Sequence, residues 1–494
     1  MIRLDNASLS QLTNNVEIPG YDRSKIKPGI VHIGLGAFHR AHQALVIDDC
    51  LRAGYSEWGI IAASLRGSAT RDALAPQDML YTVVINGCTQ RRHRVIGAII
   101  DAIVAPENPT RLVDSMSDPH IRIVTLTITE KGYLRNSRGD LDLSLPELLH
   151  DFANPLAPVS VYGFLALALL RRKQTGALPF TILSCDNIPA NGAAVKTLLG
   201  QYIERVNPAL ANYVRDYVMC PSTMVDRIVP ATTDEDRRLV TFEIGATDAS
   251  PVFAEDHLSW VIEDNFPAGR PPFFTTGVQL VRDVKPFELM KIRLLNGAHS
   301  AIAYSGLLLN CVTVSDAFAN PLIKGFATSI WREAIPTVTN SDVDLGEYVE
   351  QLAARFANTR IKHKLEQIAT DGSQKLPQRI LDPALELIRG GFKPVALSMC
   401  IACWIQSLIV LFTSSTFRYS DPKMDGFAAV CDTHSEPTGL ATGILPFLGL
   451  DFSKSDHWLL SKEVVRALEI LQSRGIVNAL SALSSQMLTA HATE

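Results

Sequence analysis

Apolar residues in the N-terminal half of the chain fall into short runs that alternate with segments of helical periodicity. The apolar runs cover residues 29–34, 58–65, 121–129 and 180–185, and the helical patterns between them include 40–51 and 161–174. Short buried runs of this kind are typical of strands in a parallel sheet whose faces are covered by helices. The pattern therefore predicts an α/β fold with a mostly parallel sheet.

The pattern changes near residue 285. Beyond it, apolar residues recur at intervals of three and four, as in residues 345–356 and 464–471. This spacing predicts helices. We therefore expect two domains, an α/β domain at 1–285 and a mostly α-helical domain at 286–494.

One segment of the second domain is apolar enough to resemble a membrane span. Residues 395–417 carry no charge, and their length alone would permit crossing a bilayer. Gln406 and the serines at 398, 407, 414 and 415 interrupt the segment, and no other such run accompanies it. We predict a buried helix here.

Composition narrows the range of partners. The 494 residues are 47% hydrophobic and 20% charged, which is ordinary for a globular protein with ample core. A net charge of -5 gives no basic surface for nucleic acid or anionic membrane. We therefore expect a small-molecule substrate and neither a nucleic-acid nor a membrane partner, and the oligomeric state stays open.

The eight cysteines predict a cytoplasmic protein with reduced thiols. They are scattered without the spacing of a disulfide framework, and the N-terminus lacks the apolar core of a signal peptide. The one close pair, Cys400 and Cys403, lies in the apolar segment without a second ligand pair, so we expect core cysteines and no zinc site.

A glycine-rich turn follows the first predicted strand. Gly34 and Gly36 take the first two positions of the Rossmann dinucleotide-binding pattern, whereas His39 stands where the third glycine usually falls. In that pattern the glycines permit a tight turn and close approach of a pyrophosphate. The strand before and the helix after the turn favour nucleotide binding over a purely structural turn.

The end of the second predicted strand leaves the choice of dinucleotide open. An acid usually binds the ribose hydroxyls of NAD at this place, but no acid occurs here before Asp72. Arg66 could bind a 2′-phosphate, or it could stack on the adenine or point to solvent. NAD is the expected cofactor, with NADP as the alternative.

A lysine, an asparagine and a histidine follow one another in a segment with helix-like spacing. Lys291, Asn296 and His299 are separated by five and three residues, and we expect a helix to turn all three toward one pocket. A desolvated lysine can have its pKa lowered enough to donate and accept protons near neutral pH. The alternative is a helix whose lysine is simply solvated.

The whole set of motifs resembles the mannitol dehydrogenase family, the polyol-specific long-chain dehydrogenases. The likeness lies in the glycine turn, in the lysine helix, and in five further blocks of sequence at residues 126–133, 184–187, 224–230, 263–266 and 371–379. Within the family, residues 129–133 and 367–379 are most similar to fructuronate reductases, which interconvert D-fructuronate and D-mannonate. Mannitol 2-dehydrogenases tend to carry a basic residue at the position of Gln367.

The resemblance implies a role for each candidate residue. Lys291 is the expected general acid and base, with Asn296 and Asn187 as hydrogen-bond donors to the developing alkoxide. His299 would bind a neighbouring hydroxyl, and Lys375 would hold a carboxylate or a distal hydroxyl. The expected cofactor-binding residues are Gly34, Gly36, Phe38, Arg66, Thr129 and Asp226, and no metal is expected.

Ordinary structural roles stay open for several of these residues. Asn296 could bond locally within its helix, His299 could be a core histidine, and Asn187 could belong to a turn. Lys375 could lie on the surface, and Asp226 could form an ion pair with Arg227. For the remaining histidines near the turn, we expect helix packing in place of metal binding: His32, His39 and His42.

Other dehydrogenase classes fit less well, and one rival is not an enzyme. A short-chain dehydrogenase needs a Tyr-x-x-x-Lys pair after the middle of the sheet, and the match at Tyr21 and Lys25 precedes the first predicted strand. A zinc alcohol dehydrogenase needs a set of ligands that the sequence lacks. A dinucleotide-binding sensor on the same fold is the non-enzymatic alternative.

Overall fold

The structure is a computed structural model that describes residues 2–136, 138–339 and 343–490, with side chains up to residue 483. The chain divides into two compact units, Met1–Lys285 and Pro286–Glu494. The first unit combines sheets with helices, and the second unit is built from helices.

All strands in the described part of the chain belong to the first unit. They are β1 (Ile2–Arg3), β2 (Val16–Glu17), β3 (Pro28–Ile33), β4 (Gly59–Ser64), β5 (Tyr81–Asn86), β6 (Arg91–Ile96), β7 (Ile99–Val104), β8 (Ile123–Leu126), β9 (Thr181–Ser184), β10 (Thr223–Asp226), β11 (Ala246–Thr247), β12 (Val252–Glu255), β13 (Ser259–Glu263) and β14 (Gln279–Val281).

Five of these strands form the central parallel sheet, in the order β7-β4-β3-β8-β9. From β3 the chain builds outward through β4 and β7 on one side, and then through β8 and β9 on the other. The strand order therefore reverses between β3 and β8, which is where ligands bind in open α/β sheets. The prediction of a Rossmann-type domain with a mostly parallel sheet is confirmed.

Helices cover this sheet and fill the connections of the first unit. They are α1 (Ala37–Ala41), α2 (Gln43–Arg52), α3 (Ala69–Leu74), α4 (Pro109–Ser117), α5 (Thr129–Gly132), α6 (Pro146–Ala153), α7 (Val161–Thr175), α8 (Asn191–Val206), α9 (Pro208–Tyr217) and α10 (Asp234–Ile244). The single helix predicted at 40–51 is wrong in detail, because the backbone breaks at His42 (φ -122°, ψ -87°) between α1 and α2.

The described residues of the first unit form three further sheets that the apolar pattern does not indicate. A four-stranded sheet has the order β12-β5-β6-β2, a three-stranded sheet has the order β10-β13-β14, and β1 pairs with β11. The pairing of β12 with β5 joins segments far apart in sequence. Such long-range pairing leaves no local sign in the chain.

The second unit confirms the prediction of a mostly helical C-terminal domain. Its helices are α11 (Lys285–Met290), α12 (Gly297–Leu308), α13 (Val314–Phe318), α14 (Pro321–Ala334), α15 (Leu345–Phe356), α16 (Leu365–Ala369), α17 (Gly372–Leu376), α18 (Asp382–Arg389), α19 (Val395–Thr413), α20 (Met424–Thr433), α21 (Pro437–Ile444) and α22 (Ser455–Ala490). Two π-helical turns, Lys291–Asn296 and Pro377–Leu381, interrupt the α-helical pattern.

The apolar segment of the second unit is α19. By length and composition it is the one helix in the described residues that could cross a membrane. It packs against α12, α14 and α22 of the same unit, and most of its side chains are buried. The prediction of a buried helix is therefore confirmed, and its two cysteines, Cys400 and Cys403, lie in the core with free thiols.

Candidate functional site

The turn between β3 and α1 requires a glycine at its first position. Gly34 has φ +115°, which favours glycine, and its N–H donates to the carbonyl of Ala63 at 2.8 Å. A Cβ atom at Gly34 would lie 2.0 Å from the carbonyl oxygen of Thr127 in the connection after β8. The glycine therefore allows the turn to contact the neighbouring strand end.

The second glycine is not explained by the fold itself. Gly36 has φ -94°, and the nearest heavy atom to an added Cβ would be the Gly34 carbonyl oxygen at 3.9 Å. Neither backbone strain nor packing excludes a side chain there. The open space above Gly36 fits the close approach of a pyrophosphate to the backbone.

His39, which replaces the third glycine, packs against the strand. Its ring stacks on His32 of β3 with centroids 3.3 Å apart and planes 8° apart. His32 forms hydrogen bonds with the hydroxyls of Thr125 and Thr127 at 2.7 and 2.9 Å, and burial lowers its pKa to about 3. Burial also lowers the pKa of His39, so the packing of this pair disfavours a charge on either imidazole.

His42, the third histidine near the turn, packs against different partners. Its Nε2 bonds the carbonyl oxygen of Ser259 at 3.0 Å, and the ring of Phe38 stacks on it at 5.1 Å. Phe38, a predicted cofactor residue, is itself half-buried. In the described residues no group of three or more His, Cys, Asp or Glu side chains is arranged to hold a metal ion.

The end of β4 carries no available acid close to the strand. Arg66 is exposed, two residues beyond the strand. Asp72, the first acid after the strand, accepts a hydrogen bond from Nε of Arg71 at 2.6 Å, and Arg71 also pairs with Glu107 through both terminal nitrogens. Asp72 is thus engaged in an ion pair, and both interpretations of Arg66 stay open.

Asp186 connects two of the sequence blocks that contain candidate residues. Its carboxylate accepts the N–H groups of Ile128 and Thr129 at 2.9 and 3.1 Å and the hydroxyl of Tyr133 at 2.7 Å. Thr129 is exposed with φ +63°, and Asn187 is exposed directly after Asp186. Asp186 therefore holds both candidates, Thr129 through its N–H and Asn187 as the next residue in the chain.

The supporting roles of Asp186 and Tyr133 were not predicted from the sequence. Burial raises the pKa of Asp186, and the N–H of Ile128 together with the Tyr133 hydroxyl opposes that rise. Tyr133 lies in the block at 126–133 and Asp186 in the block at 184–187, so membership of these blocks was the only sign of them in the sequence. What the blocks do not reveal is that they touch.

Asp226, at the end of β10, is buried. Its Oδ2 lies 3.3 Å from Nε2 of His257. The neighbouring Arg227 donates to backbone carbonyls, with Nε 3.0 Å from the Glu255 oxygen. His257 is therefore the new neighbour that the sequence did not suggest for Asp226.

The lysine segment of the second unit is a π-helical turn, so the prediction of a regular helix is wrong at this point. In an α-helix a step of five residues turns the side chain by about 140° from its starting direction. Hydrogen bonding in a π turn runs from residue i to i+5, which brings residues five apart to the same side. A π turn at Lys291–Asn296 therefore favours the same side for these two residues, and Lys291 is buried.

Asn296 and His299, which were predicted together with Lys291, differ in their surroundings. Asn296 is half-buried, and its side chain makes no capping hydrogen bond, so the local-bonding alternative has no support from the helix end. His299, in the first turn of α12, is buried against the ring of Phe356 with centroids 4.6 Å apart. A second imidazole, His363, lies perpendicular to it at 5.6 Å.

Lys375 is half-buried, so it is not a fully solvated surface lysine. Its Nζ donates to the carbonyl of Thr370 at 2.6 Å, an uncharged acceptor. Burial, and next the charge of Lys375, lowers the pKa of His363 to about 4. The structure thus groups Lys375, His363 and His299. His363 was not predicted from the sequence, because a lone histidine carries no pattern.

The two π turns of the second unit pack directly against each other. A Cβ at Gly297 would lie 3.1 Å from the carbonyl oxygen of Arg379, and Nη1 of Arg379 donates to the hydroxyl of Ser300 at 3.2 Å. The segment that carries Lys375 is therefore fixed to the start of α12. The ammonium, amide and imidazole groups that these segments carry are of the kinds used for proton transfer at the oxygen of a carbonyl or alcohol.

Comparisons with known proteins agree with both units. Residues 28–274 match the family described as Mannitol dehydrogenase Rossmann domain, and residues 283–428 match the Mannitol dehydrogenase C-terminal domain. An uncharacterized oxidoreductase of Escherichia coli (strain K12), YeiQ, is 44% identical over 374 residues, which are 75% of this chain and 77% of that protein. The D-mannonate oxidoreductase of the same organism is 40% identical over 396 residues, or 78% and 81%.

A solved structure extends the likeness to nearly the whole chain. The mannitol 2-dehydrogenase of Pseudomonas fluorescens, in a ternary complex with NAD and D-mannitol, superposes with a TM-score of 0.87 at 33% identity. The match covers 98% of this chain and 99% of that one.

Proposed function

This chain belongs to the mannitol dehydrogenase family of oxidoreductases, and we propose that it interconverts D-fructuronate and D-mannonate with a nicotinamide dinucleotide. The observation that carries the proposal is the π turn Lys291–Asn296, whose hydrogen bonding from i to i+5 favours one side for its first and last residues, directly before the turn of α12 that contains His299. These are the groups that a proton transfer to a ketone oxygen requires.

We assign the acid and base role to Lys291. As an ammonium it donates a proton to the oxygen of the keto group at C5 during reduction, and as a neutral amine it takes the proton back during oxidation. Asn296 donates a hydrogen bond from its amide to the same oxygen as negative charge develops there. His299 binds a neighbouring hydroxyl, and its contact with Phe356 fixes the plane of the ring.

The first unit holds the dinucleotide in this proposal. When bound, the reduced nicotinamide supplies the hydride. Gly34 and Gly36 receive the pyrophosphate at the turn, in keeping with the open space at Gly36. The remaining assignments are Phe38, Arg66, Thr129 and Asp226 as cofactor contacts and Asn187 as a second donor to the alkoxide, and these stay predictions of the sequence.

A carboxylate on the substrate calls for a cation, and Lys375 is the candidate. The D-mannonate oxidoreductase of Escherichia coli is 40% identical, which supports a sugar acid as substrate. Lys375 is half-buried, where solvent screens its charge less than at the surface. The reaction as proposed needs no metal, because Lys291 provides the proton.

Mannitol 2-dehydrogenase is the second candidate. The structure of the Pseudomonas fluorescens enzyme with NAD and D-mannitol covers 98% of this chain, which favours a neutral polyol as the alternative substrate. A dinucleotide-binding sensor without catalysis would need neither Lys291 nor Asn296.

A substrate panel tests the proposal. Oxidation of NADH and of NADPH would be followed with fructuronate, tagaturonate, fructose and xylulose. We expect the highest kcat/KM with fructuronate. Equal efficiency with fructose would favour a mannitol 2-dehydrogenase, and no turnover with any sugar would favour the sensor.

Replacing Lys375 sharpens the same test. Lys375→Met should lower kcat/KM for the keto acid by roughly one to two decades, because a charge-assisted hydrogen bond is lost. Any neutral ketose that the enzyme accepts should be affected far less. Lys393→Met, at an exposed position of the same unit, is the matched control.

A further inference from the structure

A buried tryptophan on α14 is bonded to the backbone of the catalytic π turn. Trp331 is 4% exposed, and its indole Nε1 donates to the carbonyl oxygen of Leu294 at 2.9 Å. Leu294 lies between Lys291 and Asn296 within that turn. No pattern in the sequence indicates this contact, because Trp331 follows Leu294 by 37 residues.

The bond acts where the helix departs from regular geometry. A π turn replaces the usual pairing of residues i and i+4, and side chains that enter the hydrogen-bond ladder are one cause of such departures. Within the backbone, the carbonyl of Leu294 receives the N–H of Gly297, and the carbonyl of Ile292 receives the same N–H. The Gly297 N–H is thus shared between two carbonyls, whereas the indole N–H of Trp331 donates to the Leu294 carbonyl.

The ring of the same tryptophan supports a different candidate residue. Trp331 stacks on Phe356 with ring centroids 6.0 Å apart and planes 17° apart. Phe356 contacts His299 at 4.6 Å and is itself 1% exposed. Trp331 thus reaches the π turn through its nitrogen and His299 through one intervening ring.

We propose that Trp331 is a positioning residue that holds Lys291, Asn296 and His299 in one mutual geometry. The proposal rests on the function proposed above, in which these three residues act on one substrate. Trp331 touches none of the reacting atoms. It acts through the carbonyl of Leu294 and through the ring of Phe356.

Trp331→Phe separates the two contacts, because it removes the indole N–H and retains an aromatic ring. We expect kcat to fall roughly 10- to 100-fold with little change in KM, since small displacements of catalytic groups have effects of this size. The pH dependence of kcat should also shift, because the surroundings of Lys291 change. Phe356→Leu should mainly raise KM, because it releases the ring of His299.

The matched control is Trp404→Phe on α19. Trp404 is fully buried in the same unit, and its Nε1 has no hydrogen-bond partner in the described residues. This control loses the same atoms from a core without losing a hydrogen bond. It should lower Tm, although by less than Trp331→Phe because no hydrogen bond is lost, while leaving kcat and its pH profile near wild type. A Trp331→Phe variant that behaves like this control would overturn the proposal.

Histidine NMR provides a readout that does not depend on turnover. In protein labelled with ¹³C-histidine, the His299 signal is the one that disappears in His299→Gln. Trp331→Phe and Phe356→Leu should both move that signal, and Trp404→Phe should not. If wild type reduces no sugar, the proposed function fails while this experiment still decides on Trp331, and an unmoved signal would overturn the positioning role.

Discussion

The glycine turn of the first unit and the π turn of the second unit both carry candidate site residues, but different contacts hold them. Gly34 is set by its own backbone angle and by the Thr127 carbonyl on the adjacent strand connection. The π turn is held by side chains from other helices, among them Trp331 at Leu294. The first turn is thus held by the backbone angle of one glycine and by a main-chain contact, whereas the second depends on side chains from other helices.

An ion pair of the second unit shows the same dependence on residues that are distant in sequence. Arg293, inside the π turn, donates to both carboxylate oxygens of Glu386 at 2.7 and 2.6 Å and also to the carbonyl of Thr337. Glu386 belongs to α18, directly after the second π turn. Helices that are distant in sequence therefore jointly define the backbone that presents Lys291.

The largest effect is expected for Lys291, whose replacement tests the chemistry assigned to the second unit separately from dinucleotide binding by the first. Lys291→Ala should lower kcat by at least about 100-fold, because it removes general acid–base catalysis. Binding of NADH, measured by fluorescence titration, should change little. Lys285→Ala, an exposed lysine on α11, is the control and should keep full turnover. Near-normal turnover in Lys291→Ala would remove that residue from the role.

The two glycines of the first unit should respond differently to the same substitution. Gly34→Ala should cost roughly 2–4 kcal/mol of unfolding free energy, because the Cβ overlaps the Thr127 carbonyl at a positive φ. Gly36→Ala should keep the wild-type Tm and weaken NADH binding by about tenfold, because its Cβ enters the space for the pyrophosphate. Unchanged NADH affinity in Gly36→Ala would mean that the dinucleotide binds elsewhere.

Arg66 tests whether the end of β4 discriminates between dinucleotides. Arg66→Glu should weaken NADPH binding at least about tenfold more than NADH binding, because a carboxylate repels the 2′-phosphate. The measurement is the ratio of the two dissociation constants in wild type and variant. Equal changes for both dinucleotides would show that Arg66 does not face the ribose.

A buried carboxyl that holds α19 should make the stability of the protein depend on pH. Glu333 accepts the N–H groups of Ala396 and Leu397 at 2.8 and 3.0 Å. Burial raises its pKa from 4.5 to about 7, and these N–H groups oppose the rise. Because the folded-state pKa is the higher one, this group's contribution to stability is complete below about pH 4.5 and is lost as the pH rises through 7.

Glu333→Gln should remove that pH dependence. The unfolding free energies of wild type and variant would be measured with denaturant at pH 5 and pH 8. Between these two pH values the wild type should lose up to about 3 kcal/mol of stability relative to the variant. Exposed Glu350→Gln on α15 is the control. A difference that is constant with pH would contradict the raised pKa.

The chain itself indicated most of the fold class and several members of the candidate site. Runs of apolar residues predicted the strands β3, β4, β8 and β9, and the change of periodicity predicted the helical C-terminal region. The side sheets were not predicted, because pairs such as β5 with β12 form between segments distant in sequence. His363 was also missed, since only folding brings it to 5.6 Å from His299.

The sequence by itself determined those features that depend on one residue or on the spacing of apolar positions within a short segment. The glycine turn at Gly34 and Gly36 belongs to this class, and so does the apolar helix α19, whose composition already implied burial. The tertiary structure alone decided the π turn at Lys291. Regular α-helical hydrogen bonding would turn Asn296 away from Lys291, and the contacts that accompany the other geometry come from Trp331 and Glu386, on helices that only folding brings to the turn.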